Sequence, residues 1–177
     1  MEGGCRRRGG MHESSQQADW RRWLEEHTPK LLLFARQQAR SEADAQDLLQ
    51  ESLVKASQRQ NDGQPPPLPL VFATIRRRAI DLARRDDRRA GRELAALEPP
   101  PVAWFDTSVE DRELQQLIQD AMSRLPGIYR EVLILKVWGG LTFAEIADTL
   151  AIPANTAASR YRYGLIELRK LAKEVLA

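Results

Sequence analysis

Apolar residues recur every three or four positions along almost the whole chain, which is the spacing of a helix face. Runs that alternate between apolar and polar residues, the signal of a strand, are nearly absent. Two proline-rich stretches interrupt the helical pattern, at 61–69 and 98–101, and the second lies in a polar segment from about 88 to 109. We therefore predict an all-α fold of two small helical domains joined by a flexible linker, with the first stretch a loop inside the N-terminal domain.

The N-terminal block begins with an apolar face that includes Trp23. Thr28 and Pro29 together are typical of a helix start, because threonine caps helices well and proline is tolerated in the first turn. We expect a new helix from that point to Ser41, whose hydroxyl can cap the next helix. The apolar stripes of the next two helices are Ala45, Leu48, Leu49, Ser52 and Leu53 on one, and Val71, Ile75, Ala79 and Leu82 on the other.

The C-terminal block starts with an amphipathic helix that stops at Pro126, followed by a second that ends at Gly139 and Gly140. Glycine adopts the left-handed backbone that terminates a helix, so this pair predicts a sharp end. The apolar positions are Leu114, Leu117, Ile118, Ala121 and Leu125 on the first helix, and Val132, Leu133 and Val137 on the second.

A helix-turn-helix follows these two helices. Thr142 and Glu145 have the spacing of a capping box, in which each side chain bonds the other's backbone amide, so a short helix should begin there. The pattern breaks at 151–153, and Asn155 can cap a longer helix that starts near Thr156. The buried side of that helix is predicted to be Ala157, Tyr161, Gly164, Leu168 and Leu171.

The opposite side of the longer helix is polar and fits the major groove of DNA. Arginine and asparagine side chains recognise base edges there, and hydroxyls bond phosphates or bases. An ordinary helical hairpin with a solvated polar face is the alternative. The predicted DNA-binding residues of this recognition helix are Asn155, Thr156, Ser159, Arg160, Arg162 and Tyr163.

Composition narrows the remaining possibilities. The 177 residues include 27 Lys and Arg against 25 Asp and Glu, so net charge alone indicates no polyanionic partner. Cys5 is the one cysteine and there are two histidines, so we expect no disulfide, metal site or cofactor. We find no nucleophile–base pair or phosphate loop and expect no enzyme. Without a long apolar run, we expect a cytoplasmic protein with no membrane span, and a disordered tail at 1–13.

Two segments resemble sigma factors of the extracytoplasmic-function (ECF) group, in the sigma-70 family. The stretch 125–171 is similar to the promoter-binding C-terminal domain: LP..YREV, a Gly-Leu-Thr start, EIA and Thr-x-x-Ser-Arg occur in the family's order. In the N-terminal block, 45–51 resembles the family's Ala-x-Asp-Leu-x-Gln-Glu helix. Ala-Ile-Asp at 79–81, followed by two arginines, resembles the end of its promoter-opening helix.

The resemblance implies a region 2-like bundle at 14–90, a linker at 91–109 and a region 4-like domain at 110–177. It implies a factor that directs bacterial RNA polymerase to promoters, with promoter DNA, the beta-prime clamp, the beta flap and, as a further candidate, an anti-sigma factor as partners. The residues assigned to the polymerase clamp are Asp47, Gln50 and Glu51. The segment 76–92 contains eight arginines and three aspartates, a charge that suits a phosphate backbone. The residues assigned to the minus-ten strand are Arg76, Arg77, Arg78, Arg84, Arg85 and Arg88.

The sequence departs from the family at several of these positions. Leu70 and Val71 stand where the family usually has Trp-Leu, and Arg77 stands where it usually has Asn, whose paired donor and acceptor an arginine cannot reproduce. Ala158, Tyr163 and Leu165 replace basic residues of the recognition helix. Two alternatives therefore stay open: a diverged sigma-like regulator that binds duplex DNA without opening it, and a protein that regulates a sigma pathway through protein contacts alone.

Overall fold

The computed structural model describes residues 10–60, 63–89 and 112–176. These ranges contain helices and no strands, so the all-α prediction is confirmed. The tail at 1–9 and the predicted linker at 91–109 lie outside the described residues. The helices are α1 (Gly10–Arg36), α2 (Glu42–Gln60), α3 (Leu68–Arg89), α4 (Arg112–Arg124), α5 (Gly127–Val137), α6 (Phe143–Leu150) and α7 (Ala154–Leu176).

Helix α1 is longer than the sequence predicted. It begins at Gly10, inside the predicted tail, and it continues through Pro29, so the predicted helix start at Thr28 is wrong. A proline inside a helix removes one backbone hydrogen bond. Here residues on both sides of it pack on the same core, with Trp23 partly buried and Leu31 fully buried, and this packing outweighs the local penalty.

Helices α1, α2 and α3 pack around the core of the first block. Phe34 and Phe72 meet edge to face at a centroid distance of 5.2 Å, and both are fully buried. The predicted cap at Ser41 is confirmed, since its hydroxyl accepts a bond from the Asp44 amide at 3.1 Å. The indole of Trp20 donates to the Gly63 carbonyl at 2.8 Å and so ties the proline-rich loop to α1.

The second block consists of α4 to α7. Its fully buried residues include Met122 on α4 and Ile134 on α5, and α7 packs against α4, α5 and α6. Helix α5 ends as predicted, because Gly140 takes a left-handed φ of 69°. None of the described helices combines the length and the apolar content needed to cross a bilayer.

Leu82 and Val137, from the predicted apolar stripes, are exposed. Leu82 is 41% exposed because its part of α3 borders a cleft between α2 and α3 that opens to solvent. Val137 is 54% exposed because it is the last residue of α5, beyond the buried run at 132–135. Burial on both helices therefore stops before the periodic pattern does.

The two blocks contact each other. Helix α6 packs against α3, and α5 contacts α1. The sequence predicts two helical domains joined by a flexible linker, and these described helices also form an interface between the two. The recognition helix is nevertheless accessible, since Arg162 is exposed and Ser159 is half-buried.

Candidate nucleic-acid interface

The capping box at the start of α6 is present in full. The Thr142 hydroxyl accepts a bond from the Glu145 amide at 3.2 Å, and the Glu145 carboxylate accepts from the Thr142 amide at 2.7 Å. These bonds stabilise the charged carboxylate and hold the pKa of Glu145 below its ordinary value. The box fixes where the first helix of the helix-turn-helix begins.

The turn between α6 and α7 is tight. Ala151 adopts a left-handed backbone with φ of 53°, and the amide of Ile152 donates to the Ala147 carbonyl at 3.0 Å. Helix α7 then begins at Ala154, because the Pro153 carbonyl accepts from the Thr156 and Ala157 amides at 2.9 and 3.0 Å. The prediction that Asn155 caps this helix is therefore wrong.

The recognition helix α7 presents its predicted contact residues on an accessible face. Asn155 lies exposed in the first turn, where the amides and the positive end of the dipole favour phosphate. Arg162 and Tyr163 are exposed, and the guanidinium lies 5.1 Å from the ring centroid. The remaining predicted contacts, which are half-buried, are Thr156, Ser159 and Arg160.

The buried side of α7 sits close to α5. Gly164 is buried, and a Cβ there would lie 3.2 Å from the Tyr129 Cβ and 3.4 Å from Leu133. A larger residue would push the recognition helix away from its support. The prediction that Gly164 belongs to the buried side is confirmed.

The described arginine side chains of α3 differ in exposure. Arg76 and Arg78 form ion pairs, the first with Glu131 of α5 at 3.7 Å and the second with Glu51 of α2. The side chains of Arg77, Arg84 and Arg85 are exposed, while that of Arg88 lies outside the described part of the chain. The arginine-rich face is thus present, and Arg76 and Arg78 within it form ion pairs.

The predicted polymerase-binding face lies on α2. Asp47, Gln50 and Glu51 are all exposed and share one side of the helix, opposite the buried Leu48 and Leu49. A cleft of about 520 Å³ lies beside them, between α2 and α3, and its lining includes Leu82 and Arg85. The Glu51–Arg78 ion pair joins this face to the arginines of α3.

Four polar residues between the blocks were not predicted as functional. Gln38 donates to Glu131 at 2.9 Å, and Arg130 donates to Gln37 at 3.2 Å. Burial lowers the pKa of Arg130. No periodicity identifies such partners, because the members of each pair lie 93 positions apart.

Comparison with known proteins assigns both blocks. The family model described as "Sigma-70 region 2" matches residues 23–89, and the one described as "Sigma-70, region 4" matches 115–168. "RNA polymerase sigma factor CarQ" from Myxococcus xanthus is 30% identical over 154 residues, which is 84% of this chain and 86% of that protein. The chain belongs to the sigma-70 family of RNA polymerase sigma factors, in the ECF group.

Two further relatives bear on the extent of this sigma factor. "ECF RNA polymerase sigma factor SigK" from Mycolicibacterium vanbaalenii is 33% identical over 107 residues, 58% of this chain, and the match spans about half of that protein, 54%. The structure of the sigma factor RpoE from Bartonella quintana, solved in complex with the anti-sigma factor NepR, superposes with a TM-score of 0.62 at 22% sequence identity. The match covers 88% of this chain and 97% of the RpoE chain. That likeness shows the shared fold.

Proposed function

We propose that this sigma factor directs bacterial RNA polymerase to specific promoters. The second block, at 110–177, would hold the minus-thirty-five duplex, the first block, at 14–90, would hold the opened minus-ten strand, and 91–109 would span the distance between them. The observation that carries the proposal is a capped helix-turn-helix with an accessible recognition helix, on the same chain as an arginine-rich helical bundle.

Duplex recognition is supported by the first turns of α7. Asn155 and Arg162 project from the part of the helix that enters a major groove, where their amide and guanidinium groups match adenine and guanine edges. Thr156 and Ser159 supply hydroxyls for phosphate or base contacts. Tyr163, stacked by Arg162, adds an aromatic surface where the family usually has a basic residue.

Strand capture is supported by the arginines of α3. Arg77, Arg84 and Arg85 present positive charge to solvent along one helix, as a separated strand requires. Arg76 and Arg78 could join them once their carboxylate partners are displaced. Since Arg77 replaces an amide, we expect a different base preference at the minus-ten element rather than the family's usual one.

Polymerase docking is assigned to Asp47, Gln50 and Glu51, with the beta-prime clamp as their partner and the beta flap as the partner of the second block. Replacing Asp47 and Gln50 together with alanine should abolish co-purification with core polymerase. Lys55→Ala with Gln58→Ala is the matched control, because these residues are exposed at the same spacing on the same helix. Loss of co-purification in both variants, or in neither, would contradict this docking face.

Reconstituted transcription tests the whole proposal. The full chain, added to purified core polymerase and genomic fragments, should yield transcripts from a defined set of start sites. Duplex binding without transcripts would favour the diverged regulator instead. Binding to neither DNA nor polymerase would favour a role through protein contacts alone, and an anti-sigma factor is the first partner to test.

A further inference from the structure

We propose that Tyr163 and Ile166 contact the 5-methyl group of a thymine beside a guanine that Arg162 recognises. The upstream duplex element of the promoter would then contain these two bases next to each other. The inference rests on the proposed function and deepens it, because it names bases that α7 recognises. Ile166 is not among the contact residues that the sequence predicts.

Ile166 lies on the same face of α7 as the predicted contact residues. Positions 155, 159, 162 and 166 are separated by four, three and four residues, which keeps them on one side of a helix. Ile166 is 59% exposed, and it lies about 6 Å along the axis from Arg162, because a helix rises about 1.5 Å per residue. The face assigned to the major groove therefore continues to an exposed aliphatic side chain.

Tyr163 and Ile166, which we call the apolar patch, adjoin Arg162. Tyr163 is 50% exposed, and its ring centroid lies 5.1 Å from the guanidinium carbon of Arg162. A single exposed apolar residue is ordinary on a protein surface, but here two lie together on the face assigned to DNA. Thymine is the base that presents an apolar group, its 5-methyl, in the major groove. The patch thus matches thymine, as the arginine matches guanine.

The spacing of these side chains sets the spacing of the bases. Residues three or four positions apart on a helix have Cβ atoms about 5–6 Å apart, whereas base pairs are stacked about 3.4 Å apart. The patch and Arg162 therefore reach adjacent base pairs. The Tyr163 ring also restricts the guanidinium, so that less conformational freedom is lost when it binds guanine.

Charge favours DNA over an apolar protein partner on this face. The lining of a shallow depression around Ile166 includes three exposed cations, Arg169, Lys170 and Lys173. Glu174 also belongs to this lining, and it pairs with Arg124 at 2.9 Å. Cations at the edge of an apolar patch suit a polyanion, because phosphates border the groove in which the thymine methyl groups lie.

Removal of the methyl group tests the proposal. Core polymerase carrying the full chain selects duplexes from a pool with a randomised upstream segment, and each thymine of a selected segment is then replaced by deoxyuridine. Uracil keeps the pairing of thymine and lacks the methyl group. At a thymine next to a guanine, the replacement should weaken binding about fourfold, which corresponds to one buried methylene. No effect at any thymine of the segment would overturn the proposal.

Variants assign the methyl effect to the apolar patch. With Tyr163→Ala or Ile166→Ala, the ratio of thymine to uracil affinity should fall from about fourfold to below about twofold, because the surface that contacts the methyl group is shortened. Both side chains are exposed, so these changes leave the core intact. A ratio that stays fourfold in either variant would contradict the proposed contact.

Leu165→Ala is the matched control. Leu165 is 42% exposed on the same helix, but it lies about 100° around the axis from Ile166. This variant should keep the fourfold ratio. An equal fall of the ratio in Leu165→Ala and Ile166→Ala would mean that the effect is not specific to the patch, and the proposal would fail.

The contact between Arg162 and Tyr163 gives a second readout. Tyr163→Ala should reduce the discrimination of guanine from adenine at the neighbouring base by about two- to fivefold, the range of an exposed cation–π contact. Tyr163→Phe keeps the ring and should retain the discrimination. A phenylalanine variant that loses as much as the alanine variant would rule out the ring as the group that positions Arg162.

Two further outcomes separate this proposal from the proposed function. If Ile166→Ala lowered co-purification with core polymerase and left the thymine-to-uracil ratio unchanged, the patch would be a protein contact and the proposal would fail. If the selection enriched no duplex at all, the proposed function itself would fail. Selected duplexes that support transcription but bind equally well with uracil would overturn the methyl contact alone.

Discussion

The two blocks of this sigma factor present their candidate DNA-binding residues in opposite ways. In the second block Asn155 and Arg162 are exposed at the start of a capped, well-supported helix. In the first block Arg76 and Arg78 are held by Glu131 and Glu51. The surface for duplex DNA is thus preformed, whereas part of the surface for a separated strand becomes available only after ion pairs break. The difference suggests that recognition of duplex precedes strand capture.

The largest expected effects come from truncating one fully buried side chain in each block. Phe72→Ala should cost about 3–5 kcal/mol and Ile146→Ala about 2–5 kcal/mol, because both side chains are fully buried. Each change should lower hydrogen-exchange protection most in its own block, because the two side chains belong to different groups of packed helices. If Phe72→Ala removed protection from α6 and α7 equally, the blocks would be one cooperative unit and the comparison would fail.

The next effect concerns the preformed duplex surface. Arg162→Ala should weaken specific promoter binding by about 1–3 kcal/mol if the guanidinium contacts a base, and by less if it meets only phosphate. Electrophoretic titrations with promoter duplex and with unrelated duplex measure the specific and the non-specific affinity. Arg169→Ala, exposed further along the same helix, is the matched control. Equal losses for the two variants would mean that α7 supplies only general charge.

A smaller effect is expected at the capping box. Thr142→Ala should destabilise the chain by about 1 kcal/mol, since two hydrogen bonds with Glu145 and its backbone depend on the hydroxyl. Thr142→Ser, which keeps the hydroxyl, should stay close to the parent in denaturant unfolding. A serine variant as unstable as the alanine variant would assign the loss to the methyl group instead.

The smallest effect compares one carboxylate from each block. The pKa of Glu42 is lowered chiefly by its hydrogen bond to Arg36, and that of Glu145 by the Thr142 amide. A lowered folded-state pKa stabilises the fold above the unfolded value of about 4.3, and this stability is lost as pH falls through the folded value. Between the folded and the unfolded pKa, the free energy of unfolding of Glu42→Gln and of Glu145→Gln should therefore change less with pH than that of the parent.

Salt should separate these two carboxylates. Half of the Glu42 side chain is exposed, so its pair with Arg36 is screened and contributes about 0.5 kcal/mol or less. Acid titration of unfolding at low and high salt should show a salt-dependent loss for Glu42→Gln. The loss for Glu145→Gln should depend less on salt, because hydrogen bonds from the backbone and side chain of Thr142 are the main causes of its lowered pKa. The same salt response at both sites would contradict this distinction.

Much of the fold could be predicted from the sequence because its signals are local. The capping box at Thr142, the end of α5 at Gly140 and the buried Gly164 each depend on residues within one or two turns. Pro29 shows where local signals fail, since packing on both sides of it outweighs its signal for a helix start. Leu82 and Val137 show another, because periodicity does not indicate where a neighbouring helix stops.

The candidate site was predicted in part. The positions of the buried stripes on α2 and α7 predict which residues face solvent, and Asp47 and Arg162 are exposed as this pattern predicts. The polar contacts between the blocks could not be predicted, because Gln38 and Glu131 lie 93 positions apart and carry no mutual signal. Which polar side chains meet across two blocks depends on how the blocks pack, and that packing has no local pattern.

A footprint of promoter DNA by core polymerase carrying the full chain tests the central claim most directly. Cleavage protection should appear at an upstream duplex and at a separate downstream element. Thymines of the downstream element should become reactive to permanganate, because their strand is unpaired. Upstream protection with no reactive thymines, or no protection at all, would contradict the account.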